Sequence, residues 1–290
     1  MPLTLERAPE GVEPSRWGVG SGGSPEVGDL WLLSWDGDAL ELAVVSAVAQ
    51  SFVLVWPVTM SDDPAFRPAI VLAESPLGIP LHAWPTRETG VGLHLLHRRF
   101  GPALSARTMR VIEEALEEGE TPPLPFAQAN IAVSEIEGAS DALVERWEAI
   151  CLHQWPRGEL GASPFDAEVL RVAGLEVGEL ADLLDVSIPE AVGFVRGETT
   201  PMPRQVELVA AALDVDPPAV LQNGLDADSR LLVSPIFKDD LLRIASLRQT
   251  DEGGARELVR SQFALAARSD GDPRSRLIAA IARLLDDGRV

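Results

Sequence analysis

The chain has few of the features that mark secreted or membrane proteins. It has a single cysteine, Cys151, which cannot form an internal disulfide and fits a reducing compartment. It has no apolar run of the about 18 residues that a membrane-spanning helix requires, and no charged and apolar leader of the secretory type. We therefore expect a cytoplasmic protein with no membrane partner.

Positive charge is also scarce. The sequence has 45 acidic and 24 basic residues, a net charge of −21, and its only lysine is Lys238. Residues 164–223 hold three arginines against eleven acids, which gives −8, whereas residues 224–290 hold eleven of each sign. An acidic surface of this kind repels nucleic acid at long range, so any DNA contact starts at a disadvantage.

Length and pattern predict a multi-domain α+β protein. An apolar content of 46% in 290 residues is enough for about two cores. Residues 1–27 are rich in Gly, Pro and Ser and predict a disordered leader. Short Val-, Leu- and Trp-rich runs in residues 28–121 predict a small β-barrel that ends in a helix capped by Ser105. Residues 122–163 predict a linker with one helix, and residues 224–290 a C-terminal segment of three helices.

Residues 174–201, GLEVGELADLLDVSIPEAVGFVRGETTP, predict two short helices joined by a tight turn. Leu180 and Leu184 lie on one apolar face, and Ser187 is a good N-cap for the second helix, which Gly197 ends. A third helix begins at Pro203. Two helices, a tight turn and a third helix are the arrangement of a helix-turn-helix.

This stretch resembles the lambda-repressor/Cro-like (XRE) helix-turn-helix family over residues 164–223. The matching positions are Gly174, Leu175, Leu180, Ala181, Leu184, Val186, Ser187, Gly197 and Pro201. The resemblance implies an all-α module that binds DNA, and a homodimer is one form that it predicts. The positions that it assigns to contact with DNA or another partner are Ser187, Ile188, Glu190, Val192, Gly193, Arg196 and Arg204.

Several of these side chains do not suit DNA. Base edges are read by Arg, Lys, Asn, Gln, Ser or Thr, and phosphates chiefly by cations, whereas Ile188 and Val192 are apolar and Glu190 is acidic. Two hypotheses for the function stay open. In the first, the chain is a DNA-linked transcriptional regulator that contacts the phosphate backbone through Arg196 and Arg204. Alternatively, it is a protein–protein adaptor that docks a partner on the apolar face of the second helix.

The first half carries a second resemblance. GDLWLL, ELAVVSAV, PVTMS and GPALSARTMRVIEEAL resemble the MazF/PemK-type toxin family, an SH3-like barrel, over residues 27–121. Active members cleave RNA with an arginine and a threonine. The threonine carries over to Thr59, but Glu41 and Leu42 occupy the neighbourhood of the arginine. Because the transition state of RNA cleavage needs a nearby cation, we predict a catalytically degenerate barrel. A ribonuclease toxin fused to its regulator is the third hypothesis.

No other motif predicts catalysis or a cofactor. The sequence has no P-loop, dinucleotide fingerprint or nucleophile elbow, so we expect no cofactor. His94 and His97 are spaced as a metal pair would be, but no further ligand has suitable spacing, and we predict that they are ordinary histidines, either exposed or packed, near Arg98 and Arg99. The basic run HRRF, residues 97–100, is predicted to pair with the acidic residues 113–120.

Overall fold

The computed structural model describes residues 3–18, 23–49, 52–153, 155, 164–196, 199, 201–215, 217–221, 231–266 and 272–286. The fold is mixed α/β. The chain divides into two compact units: a sheet unit, made of Met1–Trp155 and Asp228–Val290, and a helical unit, Pro156–Ala227. The C-terminal segment therefore belongs to the same unit as the N-terminal sheet.

A seven-stranded antiparallel sheet forms the centre of the sheet unit. Its strands are β1 Asp29–Trp35, β2 Asp38–Val48, β3 Phe52–Met60, β4 Ile70–Leu72, β5 Leu81–Ala83, β6 Thr89–Gly92 and β7 Leu96–Pro102. They are ordered β4-β5-β3-β2-β1-β7, and β6 also pairs with β3.

The sheet is open, which corrects the expectation of a closed barrel. Strands β4 and β7 lie at its two ends, and no pairing joins them in the described part of the chain. The outer edge of β4 is occupied by a later segment: Val71 N donates to Pro125 O, and Ala127 N donates to Ala69 O. These bonds satisfy the edge backbone groups that a barrel would pair between its first and last strands.

The N-terminal residues pack on the sheet. Trp17 is 1% exposed and stacks on Phe100, with 5.3 Å between the ring centroids. Its Nε1 donates to Thr4 O at 2.9 Å, and Leu3 and Leu5 pack against the same core. The prediction of a disordered leader is therefore wrong for residues 3–18, because Trp17, Leu3 and Leu5 bury apolar surface against the sheet. The glycine-rich run at 19–22, the predicted linker at 156–163 and Gly197 lie outside the described residues.

The described residues form ten α-helices. They are α1 Pro14–Gly18, α2 Ala106–Glu117, α3 Ile136–Cys151, α4 Ala167–Val172, α5 Val177–Leu184, α6 Ile188–Val195, α7 Pro203–Leu213, α8 Lys238–Arg248, α9 Glu252–Ala266 and α10 Pro273–Asp286. Helix α2 begins as predicted, since Ser105 Oγ accepts a hydrogen bond from Thr108 N at 3.0 Å. Among the described residues, no helix is both long and apolar enough to cross a membrane.

A buried ion network attaches α8 and α9 to the end of β1. Lys238 Nζ donates to Glu252 Oε1 at 2.8 Å and to the carbonyl oxygens of Ser34 and His94 at 2.9 and 2.8 Å. Arg256 contacts the same Glu252 Oε1 at 2.6 Å and donates to Leu232 O. The side chains of Lys238, Glu252 and Arg256 are fully buried, so each charge depends on the other members of the network.

The turn between β1 and β2 completes the network. Asp36 and Gly37 both have positive φ, 53° and 86°, as in the Asp-Gly turns that favour hairpins. Asp36 N donates to Glu252 Oε2 at 3.1 Å, and Glu252 N donates to Asp36 Oδ1 at 2.8 Å. The first turn of α9 is thus capped by a hairpin 216 residues earlier in the chain.

The helical unit has its own core, formed by one face each of α4 to α7. Helices α5 and α6 are joined by three residues, of which Asp185 has a left-handed conformation, with φ 54°, and Val186 N donates back to Ala181 O. Phe165 and Leu221 pair in an isolated bridge that brings the two ends of the unit together. The predicted pair of short helices with a tight connection is therefore present in the structure.

We predict that Glu252→Gln destabilises the sheet unit by about 3–5 kcal/mol, because two buried cations lose their shared counter-charge. Glu257→Gln, on the same helix but half-exposed, should change the free energy of unfolding by less than about 0.5 kcal/mol. Urea denaturation followed by tryptophan fluorescence measures both. Equal effects of the two substitutions would contradict a structural role for the network.

Candidate functional site

Helix α6 presents a mainly apolar N-terminal end. Pro189 lies in its first turn, where a missing N–H group costs little, and Ala191 and Phe194 are buried in the core of the unit. Ser187 and Glu190 are exposed, and Ile188 is 53% exposed. An exposed isoleucine at the start of α6 can contact a partner by apolar packing but cannot hydrogen-bond to a base edge.

Two of the predicted contact residues are less accessible. Val192 is half-buried and Gly193 is buried, so both are less accessible to a partner than Ser187, Ile188 and Glu190. A Cβ atom at Gly193 would lie 2.6 Å from Thr199 Oγ1, and Thr199 N donates to Gly193 O at 3.1 Å. A side chain at position 193 would therefore collide with Thr199 unless the threonine moved.

The arginines near α6 are available for contact. Arg196 and Arg204 are exposed, and within the part of the chain that the structure describes neither forms an ion pair. Arg171 differs, because Glu168 holds it in a two-point ion pair through Nε and Nη2. Among the described residues of the unit, two arginine side chains without an ion-pair partner are therefore exposed, one at the C-terminal end of α6 and one at the start of α7.

Met202 is a contact candidate that the sequence interpretation missed. It occupies the N-cap of α7 and is 64% exposed. Its backbone N–H donates to Gln205 Oε1 at 2.8 Å, so the helix is capped without help from the Met202 side chain. The available signal was an apolar residue at a position where Ser, Thr, Asp and Asn are preferred.

Thr59 is not placed for chemistry. It is buried on β3, and its Oγ1 accepts a hydrogen bond from Trp84 Nε1 at 3.1 Å. Glu41, in the neighbourhood where the MazF-type resemblance places an arginine, pairs with Arg146 Nη1 at 3.0 Å. The sequence interpretation missed Arg146 because it comes from α3, 105 residues later. Burial raises the pKa of Glu41 although Arg146 opposes that shift.

A serine, a histidine and an aspartate form a chain of hydrogen bonds that does not have the geometry of a hydrolase. Ser34 Oγ lies 2.8 Å from His97 Nδ1, and His97 Nε2 lies 2.9 Å from Asp239 Oδ1. The serine is fully buried and the aspartate is exposed, whereas a nucleophilic serine must face its substrate. These two hydrogen bonds hold the start of α8 against β1 and β7. The hydrogen bond from His97 lowers the pKa of Asp239.

His94 is held neutral. Its Nε2 lies 2.7 Å from His153 O, and the ring packs edge-on against Trp35. Burial, reinforced by the positive charge of Arg256, lowers the pKa of His94 to about 3. Among the described residues, no group of histidine, cysteine and carboxylate side chains is arranged to hold a metal ion.

The basic run at residues 97–100 does not pair with the acidic residues 113–120, and that prediction is corrected. Arg99 pairs with Asp29 at 2.7 Å and with Glu26 at 3.1 Å. Arg98 donates to the carbonyl oxygens of Leu5 and Trp17. The run lies on β7, and its side chains bind the N-terminal segment and β1.

Comparison of the chain with models of known protein families gives no match, and comparison with curated proteins gives none either. The XRE-type and MazF-type resemblances therefore rest on the motifs themselves.

We predict that the sheet unit loses stability as the pH falls below about 6.5, with His94 as one cause. The folded state keeps His94 neutral down to about pH 3, whereas the unfolded chain protonates it near 6.5, so protons bind preferentially to the unfolded state between these values. The contribution is at most about 1.4 kcal/mol per pH unit in that window.

His94→Gln tests this prediction, because the glutamine side chain can still donate to His153 O but does not titrate. Urea denaturation at several pH values should give a shallower acid loss of stability for the variant than for the unchanged chain. Identical pH profiles would show that His94 does not contribute.

Proposed function

We propose that α5, α6 and α7 form a helix-turn-helix module of the XRE type that serves as a protein–protein adaptor in a regulatory protein. The observation that carries the proposal is the exposure of Ile188, 53%, at the N-terminal end of α6. A DNA reader needs hydrogen-bonding side chains at that end, while a protein interface is centred on apolar side chains.

The charge of the module supports a protein partner. Residues 164–223 hold three arginines against eleven acids, a net of −8, and Glu190 is exposed in the first turn of α6, two residues after Ile188. One of the three arginines, Arg171, is already bound to Glu168. A suitable partner therefore has an apolar pocket for Ile188, bordered by basic residues that face Glu190.

We infer that the sheet unit serves as a scaffold without MazF/PemK-type chemistry. Thr59 is buried and hydrogen-bonded to Trp84, and Glu41 occupies the neighbourhood of the missing arginine. Arg146 reaches that neighbourhood but is engaged by the carboxylate of Glu41. RNA cleavage by this unit accordingly has no support.

The adaptor proposal predicts that a photo-crosslinking residue at position 188 captures a defined protein partner in cells, because that side chain would lie in the interface. The same residue at position 172 should capture none of it, since Val172 is 72% exposed but lies at the end of α4. The crosslinked product, identified by mass spectrometry, is the measurement.

Substitution supplies the matching test. Ile188→Asp should weaken co-purification of that partner at least about tenfold, because a charge would enter the apolar centre of the interface. Val172→Asp is the control and should have no effect. Equal capture at positions 188 and 172, or full binding by Ile188→Asp, would reject the adaptor.

DNA binding is the second candidate function, and Arg196 and Arg204 favour it. Both are exposed cations without an ion-pair partner among the described residues. They lie at the C-terminal end of α6 and in the first turn of α7. Binding of this kind would depend on phosphates and would carry little base specificity.

If DNA is bound, changing both Arg196 and Arg204 to Ala should weaken binding to a mixed-sequence duplex. It should also reduce the slope of log affinity against log salt by about 2, because two phosphate contacts are lost. Fluorescence anisotropy between about 50 and 200 mM salt measures this. Arg171→Ala is the control, since that side chain is held by Glu168. A salt slope that the double substitution does not change would exclude these arginines from DNA contact.

A further inference from the structure

A cavity of about 450 Å³ lies between strands β2 and β3 and helix α3 in the sheet unit. Most of its lining is apolar, and its walls include Leu3, Leu40, Met60 and Ile150. Ligand-binding pockets typically have volumes of roughly 300–1,000 Å³, apolar walls and a few polar groups. The size and lining of this cavity fall in that class.

The polar groups of the cavity are Glu41, Asp63, Arg146 and His153. The Glu41 side chain is only 12% exposed, and its Oε1 accepts a hydrogen bond from Arg146 Nη1 at 3.0 Å. Its Oε2 accepts no hydrogen bond from any residue that the structure describes. Because this oxygen has no donor among the described residues, a ligand that supplies a charged donor gains a charge-assisted hydrogen bond there.

The charges around Glu41 favour a cationic donor. Arg146 supplies one positive charge, and Glu41 and Asp63 supply two negative charges. The burial of Glu41 raises its pKa, Arg146 lowers it and Asp63 raises it further, so the one arginine does not fully stabilise the carboxylate. Asp63 is fixed at the rim, because its Oδ2 accepts a hydrogen bond from Met60 N at 2.9 Å.

An adjoining cavity of about 230 Å³ extends the same negative region. It shares Leu3, Met60 and Asp63 with the first cavity and adds Glu10 and Asp62, with Arg7 as its one basic residue. The two cavities together contain four carboxylates and two arginines. The combined lining is therefore apolar in its walls and net negative at its polar end.

We propose that the cavity binds a small organic cation, with an apolar body against Leu40, Met60 and Ile150 and an ammonium group that donates to Glu41 Oε2. This site lies in the sheet unit, so it is a further function beside the partner contact proposed for α6. It does not depend on that contact.

Isothermal titration calorimetry of the full chain at neutral pH tests the proposal with three probes of one shape: hexylammonium, hexanol and hexanoate. Hexylammonium should bind at least about tenfold more tightly than either of the others, because only it supplies a charged donor to Glu41. Glu41→Gln should remove this preference. Glu88→Gln, which changes an exposed carboxylate outside the cavity, is the matched control and should keep it.

A second variant separates the ligand site from the stability of the Glu41–Arg146 pair. Met60→Trp leaves Glu41 and Arg146 in place but fills the cavity, and it should abolish hexylammonium binding. Circular dichroism confirms that each variant is folded. The proposal is overturned if hexylammonium does not bind saturably, if hexanoate binds as tightly, or if folded Glu41→Gln or Met60→Trp retains the preference.

Discussion

The architecture of this protein depends on one buried carboxylate. Glu252 accepts hydrogen bonds from Lys238, Arg256 and the backbone of Asp36, and the two cations in turn donate to carbonyl oxygens of β1 and of the segment before β7. Burying three charges is unfavourable unless each one is paired and hydrogen-bonded. The network meets that condition only when α8 and α9 lie against the end of β1. Folding of the sheet unit therefore requires both ends of the chain, and the helical unit is inserted in sequence between them.

This separation has a consequence for function. The helical unit has its own core, which includes Leu180, Phe194 and Val209, and that core does not use the exposed residues of α6. Ile188 and Glu190 can therefore differ from those of a DNA reader without loss of the fold. The connection at Asp185 and the buried Gly193 are different, because the first is fixed by its left-handed backbone and the second by the close approach of Thr199. The residues that form the core of the helical unit are thus different from the exposed residues that could contact a partner. For this reason a helix-turn-helix pattern predicts the arrangement of the helices better than it predicts the partner.

The sequence predicted much of the secondary structure because its signals are local. Strands β1 to β4 are apolar runs bounded by Gly, Asp or Pro, and the predicted helices have continuous apolar stripes. Strand β6 was missed because it has four residues, two of them glycine, and β7 because LHRRFGP has three consecutive polar residues in its first half and Gly-Pro at its end. The buried network could not be predicted. Glu252 and Arg256 are four residues apart, a spacing typical of a solvated helix pair. The carbonyl groups of Ser34 and His94, which bind Lys238 in the same network, lie 204 and 144 residues from it in the sequence.

The two candidate sites differ in the same direction from the patterns of the two families that the sequence resembles. In α6, Ile188 and Glu190 occupy positions where the XRE-type resemblance places polar or basic side chains, and in β2, Glu41 lies where the MazF-type resemblance places an arginine. Both families act on phosphate-rich polymers, whose binding needs cations. An isoleucine or a carboxylate at such a position weakens phosphate binding, but it suits an apolar or a cationic partner equally well. The proposed partner of α6 and the proposed ligand of the Glu41 cavity both follow from this lack of positive charge at the two sites. The net charge of −21 of the whole chain agrees with it.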